Sequence, residues 1–173
     1  VGEPVSGRVW KYMPGMESSM VYYLGEFFTG PTSIHVFDGE MGVKTTVYAD
    51  FYPTFTKKGS HSLSDEEQAK LFGRLFGKVS AISMFGSNAI HHALVAGGRK
   101  KDVVGAITAC LGGPWDVAPV ILVAKAGGCV RGFTRIEGAW EEQPAMDIKA
   151  HHFTISGNTP ETVGKLVDVL TSI

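Results

Sequence analysis

The sequence predicts a layered α/β fold, with antiparallel strands in the N-terminal part and alternating strands and helices after them. Three observations carry this reading. Short stretches rich in Val, Tyr, Phe and Thr fill the first 56 residues, with turn residues between them. From residue 57 onward, apolar runs of strand length alternate with apolar stripes at helical spacing. Paired glycines then punctuate the chain where helices end, at Gly97-Gly98 and Gly127-Gly128. At 173 residues the chain is read as one domain, with residues 1–56 completing an antiparallel sheet and residues 57–173 forming the α/β portion.

Taken in order, Val5–Trp10, Ser19–Leu24, Ser33–Phe37 and Val43–Phe51 are expected as meander strands, set apart by Pro14-Gly15, Gly30-Pro31 and Asp38-Gly39. Ser64 then precedes a helical pattern and has Glu67 three residues later, the arrangement of a capping box. The helix is expected over Asp65–Phe76, with Ala69, Leu71, Phe72, Leu75 and Phe76 as its apolar stripe. Val79–Phe85 reads as a strand, Gly86-Ser87-Asn88 as a turn, and Ala89–Ala96 as a helix. Asp102–Cys110 is the next strand and Val117–Ala126 the next helix, apolar almost all round and therefore expected to be buried. His152–Ser156 is a third strand of this half. Thr159 caps a last helix, with Pro160 at its first position and Val163, Leu166, Val167 and Leu170 on one face.

Composition narrows the functional classes. The formal net charge is −1 and no dense run of Lys or Arg occurs, so neither nucleic acid nor an anionic membrane surface is expected as a partner. Lys57-Lys58 and Arg99-Lys100-Lys101 read as solvated loop charge. No apolar stretch reaches the ~18 residues of a membrane span, and VGEPVSGRVW lacks the pattern of a signal peptide. Cys110 and Cys129 show neither metal-type spacing nor a disulfide framework, so both are read as reduced thiols of a cytoplasmic protein. His91 and His92 point about 100° apart on a helix, and His151 and His152 face opposite sides of a strand. Neither pair suits zinc. Glu40, Glu66, Glu137, Glu141 and Glu142 are read as surface charge.

Two turns carry the candidate chemistry. Asp116 stands between Trp115 and the apolar run that follows. One reading makes it the N-cap of helix Val117–Ala126. The other places it at the carboxyl end of a strand, reaching into a cleft, where a carboxylate suits a hard cation such as Mg2+. Gly86, Ser87 and Asn88 form a second strand-to-helix turn at the same sheet edge. Simple capping by Ser87 or Asn88 competes there with contact to an anionic or hydroxyl-rich ligand.

These stretches together carry a resemblance. PWDVAPVILVAKAGG, residues 114–128, resembles the W-D…A-G-G signature near the C-terminus of the inositol monophosphatase family of Mg2+-dependent sugar phosphatases. MFGSNAIHHALVAGGR is similar to the family's G-(S/T)-A-A…L…VA-x-G-R helix, at the right distance before W-D. GEPVSGRVW resembles the family's G-x-P-x-x-G-V-V strand, and FTISGNTPETVGKLVDVL its closing strand and helix. The resemblance spans nearly the whole chain. It implies Asp116 as a Mg2+ ligand that also helps hold the substrate, with Gly86, Ser87 and Asn88 contacting the sugar or inositol ring. The implied reaction is water attack on a small phosphorylated metabolite.

The chain also departs from the pattern. The family's D-P-(I/L)-D-G-T motif does not occur here, nor does a G-E-x in the family's place ahead of it, so the other metal ligands are missing; FDGEMG at residues 37–42 has acids and glycines but the wrong pattern and position. No catalytic residue is therefore assigned. Ala109 stands where inositol-specific members carry an acid seven residues before the W-D aspartate. The resemblance implies the C-terminal portion of a phosphatase, associating with an N-terminal portion or as a homodimer. The alternatives are a non-catalytic binding module derived from that fold, and an unrelated α/β module whose W-D is only a helix cap.

Overall fold

The computed structural model describes residues 2–3, 8–13, 15–16, 20–23, 29–50, 63–84, 86–97, 102–109, 116, 118–145, 147 and 153–173. Ten strands and four helices are resolved among them. Strands β1 (Gly2–Glu3), β2 (Arg8–Lys11), β3 (Met20–Tyr23) and β4 (Thr29–Ser33) form an antiparallel sheet in meander order; β2 and β3 fall on expected strands, whereas β1 has no counterpart among them and β4 runs through Gly30-Pro31, expected as a turn. The remaining six strands are β5 (Thr46–Asp50), β6 (Ala81–Ser83), β7 (Val103–Ala109), β8 (Cys129–Ile136), β9 (Ala139–Gln143) and β10 (Phe153–Gly157). They form a second sheet in the order β6-β5-β7-β10-β8-β9.

The fourth predicted strand needs correction. It is not a further strand of the antiparallel meander: β5 sits in the second sheet and pairs in parallel with both β6 and β7. All five of its residues are buried, as expected for a strand with neighbours on both edges and helices over the sheet. Pattern alone does not separate a buried parallel strand from a meander strand when both are short and apolar. The segment 34–37, expected within a strand, has no strand pairing.

Helix α1 covers Asp65–Phe76 and begins on Ser64 with the full capping box: Glu67 N–H donates to Ser64 Oγ, and Ser64 N–H donates to Glu67 Oε2 at 2.8 Å. Leu71 and Leu75 turn inward, whereas Phe76 is exposed. Helix α2 covers Asn88–Gly97 and α3 covers Val120–Lys125. Helix α4, Pro160–Thr171, has Thr159 at its N-cap and Pro160 in its first turn. Its buried face is Thr162, Val163, Leu166, Val169 and Leu170, with Val167 only partly buried.

Two cores lie on opposite faces of the six-stranded sheet. On one face Val47, Ala49, Phe153 and Ile155 pack against Leu71 and Leu75 of α1 and Val163, Leu166 and Leu170 of α4. On the other, Tyr48 and Ala106 pack with Ala93 and Val95 of α2 and Leu122 and Val123 of α3. Trp10 and Val21 of the four-stranded sheet join that second core, so α2 and α3 lie between the two sheets. Sheets with a helical layer between them bury apolar surface on both helix faces.

The hairpin of β8 and β9 has no counterpart among the strands expected from sequence. Its turn is Glu137-Gly138, both in the left-handed region at φ 49° and 86°, the geometry of a type I′ hairpin. Glutamate rarely takes that conformation, so the turn carries a weak sequence signal. Edge strand β9 exposes Glu141 and Glu142, charges that discourage pairing with another chain.

The second glycine pair does two jobs. Gly127 takes φ +89°, closing α3. A Cβ on Gly128 would lie 2.6 Å from the carbonyl oxygen of Gly157 and 2.7 Å from Val123 Cγ1. Gly128→Ala is therefore expected to lower unfolding stability by roughly 1–3 kcal/mol. The urea midpoint checks this, and an unchanged midpoint would mean that the α3–β10 approach is looser than described.

Candidate functional site

Strands β6, β5 and β7 run in parallel and end at one edge of the sheet. Chain segments leaving parallel strands at their carboxyl ends form the crevice in which open α/β sheets bind ligands. The β6 segment leads through Gly86 into α2, whose first residue is Asn88. The β5 segment ends on Asp50, opposite Thr108 of β7. Asp116 follows β7 in the chain and is buried.

Two of the predicted residues meet here. Asn88 Nδ2 donates to Asp116 Oδ1 at 3.4 Å, and both side chains are buried. Gly86 takes φ +66°, so its role is to make the turn rather than to clear space. Ser87 accepts the His91 N–H through its carbonyl at 3.1 Å, which starts α2. Ser87 lies on the wall of a cleft of about 620 Å3 with Trp10, Lys11, Tyr12, Ile90 and Leu122. That cleft is largely apolar and neither Asp116 nor Asn88 lines it. It is therefore not the crevice of the carboxylate.

The capping reading of Asp116 does not hold. Helix α3 begins at Val120 rather than Val117, its N-cap is Pro119, and no side chain caps it. Ala118 and Pro119 form a turn ahead of the helix, with Ile121 N–H donating to Ala118 O. Proline suits such a start because it has no N–H to satisfy. The expectation of a fully buried helix also fails in part, since Ala118, Ala124 and Lys125 are exposed.

A residue overlooked in the sequence joins the pair. Asp50 is buried at the end of β5, and its carboxyl pKa is raised by burial and by the negative charge of Asp116. Both causes disfavour the ionised form. The clue was present in VYADFY: one acid inside an aromatic and apolar run, at the carboxyl end of a strand. Among the described residues, no three or more His, Cys, Asp or Glu side chains are grouped to hold a metal ion. Asp116 and Asp50 are hard oxygen donors, and Asn88 Oδ1 is buried with no hydrogen-bond partner. This donor set fits an oxygen-preferring cation such as Mg2+, which uses one or two carboxylates and keeps several waters.

His91 and His92 serve packing. His92 Nδ1 lies 2.9 Å from Ser156 Oγ, and its Nε2 lies 3.3 Å from Thr108 Oγ1, tying α2 to two strands. His91 stacks on Tyr48, centroids 5.2 Å apart and planes 6° from parallel. Cys129 is a half-buried free thiol, and Glu40, Glu66, Glu137, Glu141 and Glu142 are exposed as expected. Trp115, Cys110, Lys57-Lys58, Arg99-Lys100-Lys101 and His151-His152 lie outside the described residues. Ala109 closes β7.

No protein-family model matches the sequence, and neither does any curated protein. Solved structures do match. The inositol monophosphatase of Anabaena (Nostoc) sp. PCC 7120 aligns over 90% of this chain and 56% of its own, with 23% identity and a TM-score of 0.62. Mycobacterium tuberculosis SuhB aligns over 99% of this chain and 57% of its own, with 16% identity and a TM-score of 0.67. The Thermotoga maritima inositol monophosphatase aligns over 88% and 53%, with 24% identity and a TM-score of 0.56. The chain thus has the fold of these structures and spans just over half of their length. Among the described residues no helix is long and apolar enough to cross a membrane.

Burial lowers the His91 pKa to about 4, so the folded protein holds this ring neutral. The unfolded chain takes up the proton near the ordinary value, about 6.5. Stability from this site is therefore complete above about pH 6.5 and is lost as pH falls toward 4. The loss between about pH 7 and about pH 5 is on the order of 2 kcal/mol. Urea unfolding at the two pH values should show this loss in the wild type and a smaller one in His91→Phe, which keeps a ring on Tyr48. An equal loss in both would assign the dependence to other groups.

Proposed function

We propose that this chain is the C-terminal portion of a Mg2+-dependent phosphatase of the inositol monophosphatase family, acting on a small phosphate monoester such as an inositol or sugar phosphate. The observation that supports it most is the meeting of Asp116 with Asn88 at the carboxyl ends of parallel strands, in a chain with that fold. Asp116 is the metal ligand in this reading, and with Gly86, Ser87 and Asn88 it contacts the substrate. When bound, Mg2+ activates water and stabilises the leaving alkoxide.

The chain's own residues perform the positioning. The α2 N-terminus, free of acidic side chains in its first turn, offers backbone N–H groups to an anionic or hydroxyl-bearing ligand. Burial of Asp116 limits competing water around its carboxylate. The D-P-(I/L)-D-G-T motif is not among these 173 residues, so further metal ligands come from another polypeptide segment in this reading. Homodimer formation and pairing with such a segment are both compatible with it, as is a cytoplasmic location.

Titration of inositol, sugar and nucleotide monophosphates with and without Mg2+, followed by NMR, tests the reading. Binding of at least one of them is expected to require Mg2+ and to be lost in Asp116→Asn, while phosphate release by these residues alone stays at background. Binding that ignores both Mg2+ and the substitution would contradict the proposal. Turnover that depends on Asp116 would instead show that these residues hold a complete catalytic site.

A further inference from the structure

We propose that the cleft between the four-stranded sheet and helices α2 and α3 binds a small anionic ligand with an aromatic body. The ring lies among Tyr12, Ile90, Ile121 and Leu122, and the anion sits beside the ammonium group of Lys125. Neither Asp116 nor Asn88 lines this cleft, so the site is separate from the Asp116 crevice and does not rest on a metal ion.

The cleft follows from how the layers meet. Trp10 of β2 is buried in the second core, and its indole N–H donates to Gly97 O at the end of α2 at 3.5 Å. Alongside that contact, residues of β2, of the start of α2 and of the start of α3 enclose about 620 Å3, within the roughly 300–1,000 Å3 of small-molecule sites. Leu122 on its wall is buried in the core, whereas Tyr12, Ile90 and Ile121 are only partly buried. Apolar walls of that extent left open to water mark a binding site.

Charge selects the class of ligand. No acidic residue lines the cleft, although the formal net charge of the chain is −1. Lys11 is among the lining residues, and the Lys125 ammonium lies 5.3 Å from the centroid of the Tyr12 ring. Lys125 stands one turn beyond Ile121 and Leu122 on α3, which puts the three on neighbouring rows of one face. Among the described residues neither lysine has a carboxylate within ion-pair distance. The contact with Tyr12 holds the Lys125 charge at the cleft, and an anion there meets a cation that no protein group neutralises.

The same walls select against a polyol. Besides Trp10, which is engaged with Gly97, only Lys11, Tyr12 and Ser87 among the lining residues carry polar side chains. An inositol or hexose ring would set most of its hydroxyls against hydrocarbon, and each one left without a partner opposes binding. An aromatic body carries no such groups and gains from burial against Ile90, Ile121 and Leu122 and from contact with the Tyr12 ring.

Calorimetric titration of the chain with naphthyl phosphate, in EDTA, tests the proposal, with naphthol as the ring without the anion and glycerol phosphate as the anion without the ring. Naphthyl phosphate is expected to bind at least about tenfold tighter than glycerol phosphate and about threefold or more tighter than naphthol. Lys125→Gln should remove the preference over naphthol while leaving naphthol binding unchanged, and added salt should do the same. Ala118→Trp, at an exposed position on the wall, should fill the cleft and weaken both ring compounds at least about tenfold; circular dichroism checks that it folds, and if it does not, the Lys125→Gln comparison decides. Asp116→Asn should change nothing. Equal binding of naphthol and naphthyl phosphate, indifferent to Lys125→Gln, would overturn the proposal, as would undiminished binding to folded Ala118→Trp. If naphthyl phosphate binds only with Mg2+ and is lost in Asp116→Asn, the ligand sits in the Asp116 crevice: this inference falls and the reading of Asp116 stands. No saturable binding of either ring compound would assign the cleft to a protein segment and overturn the proposal as well.

Discussion

The parallel insertion of β5 between β6 and β7 is the constraint on which the rest of the architecture depends. A strand paired on both edges and covered on both faces has no solvated side, which explains why TVYAD is buried throughout. It also determines where chemistry can sit. Polar side chains along such a strand are costly, but the strand's end opens onto the crevice, and Asp50 occupies that end. Were β5 one more meander strand, as its composition suggests, Asp50 would be an ordinary turn residue far from Asp116.

Helix α2 is the second consequence of that order. Wedged between two sheets, it buries nearly every side chain from Asn88 to Ala96, the exceptions being Ala89 and Ile90. The sheet face opposite it carries Thr108 and Ser156 rather than hydrocarbon alone. The helix meets them with His92, and the strand ends with Asn88, so its apolar rows are interrupted where the sheet is polar. Buried polar groups that find partners fix one packing arrangement in place of several. Such a seam holds the α2 N-terminus in register with the strand ends, and the orientation of Asn88 toward Asp116 depends on it.

Much of this was legible in residue pattern where local chemistry decides the outcome. The capping box of α1, Thr159 before α4 and the pairing of β2 with β3 all follow from short-range rules, and the structure has them. The failures have tertiary or subtle causes. Membership of β5 in the second sheet is decided by what covers its faces, which no stretch of five residues reveals. The β8–β9 hairpin turns on a glutamate in a left-handed conformation, where Asn or Asp would have announced it. The start of α3 moved to Val120 because Pro119 suits a helix beginning better than its interior. At the site, Asn88 and Asp116 could be paired through motif order, but Asp50 could not: its partner lies 66 residues away, and only the strand order brings them near.

The central claim is that Asp116 holds a divalent cation at this sheet edge. A crystal structure of the chain soaked in Mn2+, with anomalous differences collected near the metal's absorption edge, tests it most directly. The account predicts one anomalous peak within about 2–2.5 Å of a carboxylate oxygen of Asp116, the range for hard cations on oxygen, with the Asn88 amide beside it. No peak there, or manganese only on exposed carboxylates elsewhere, would contradict it.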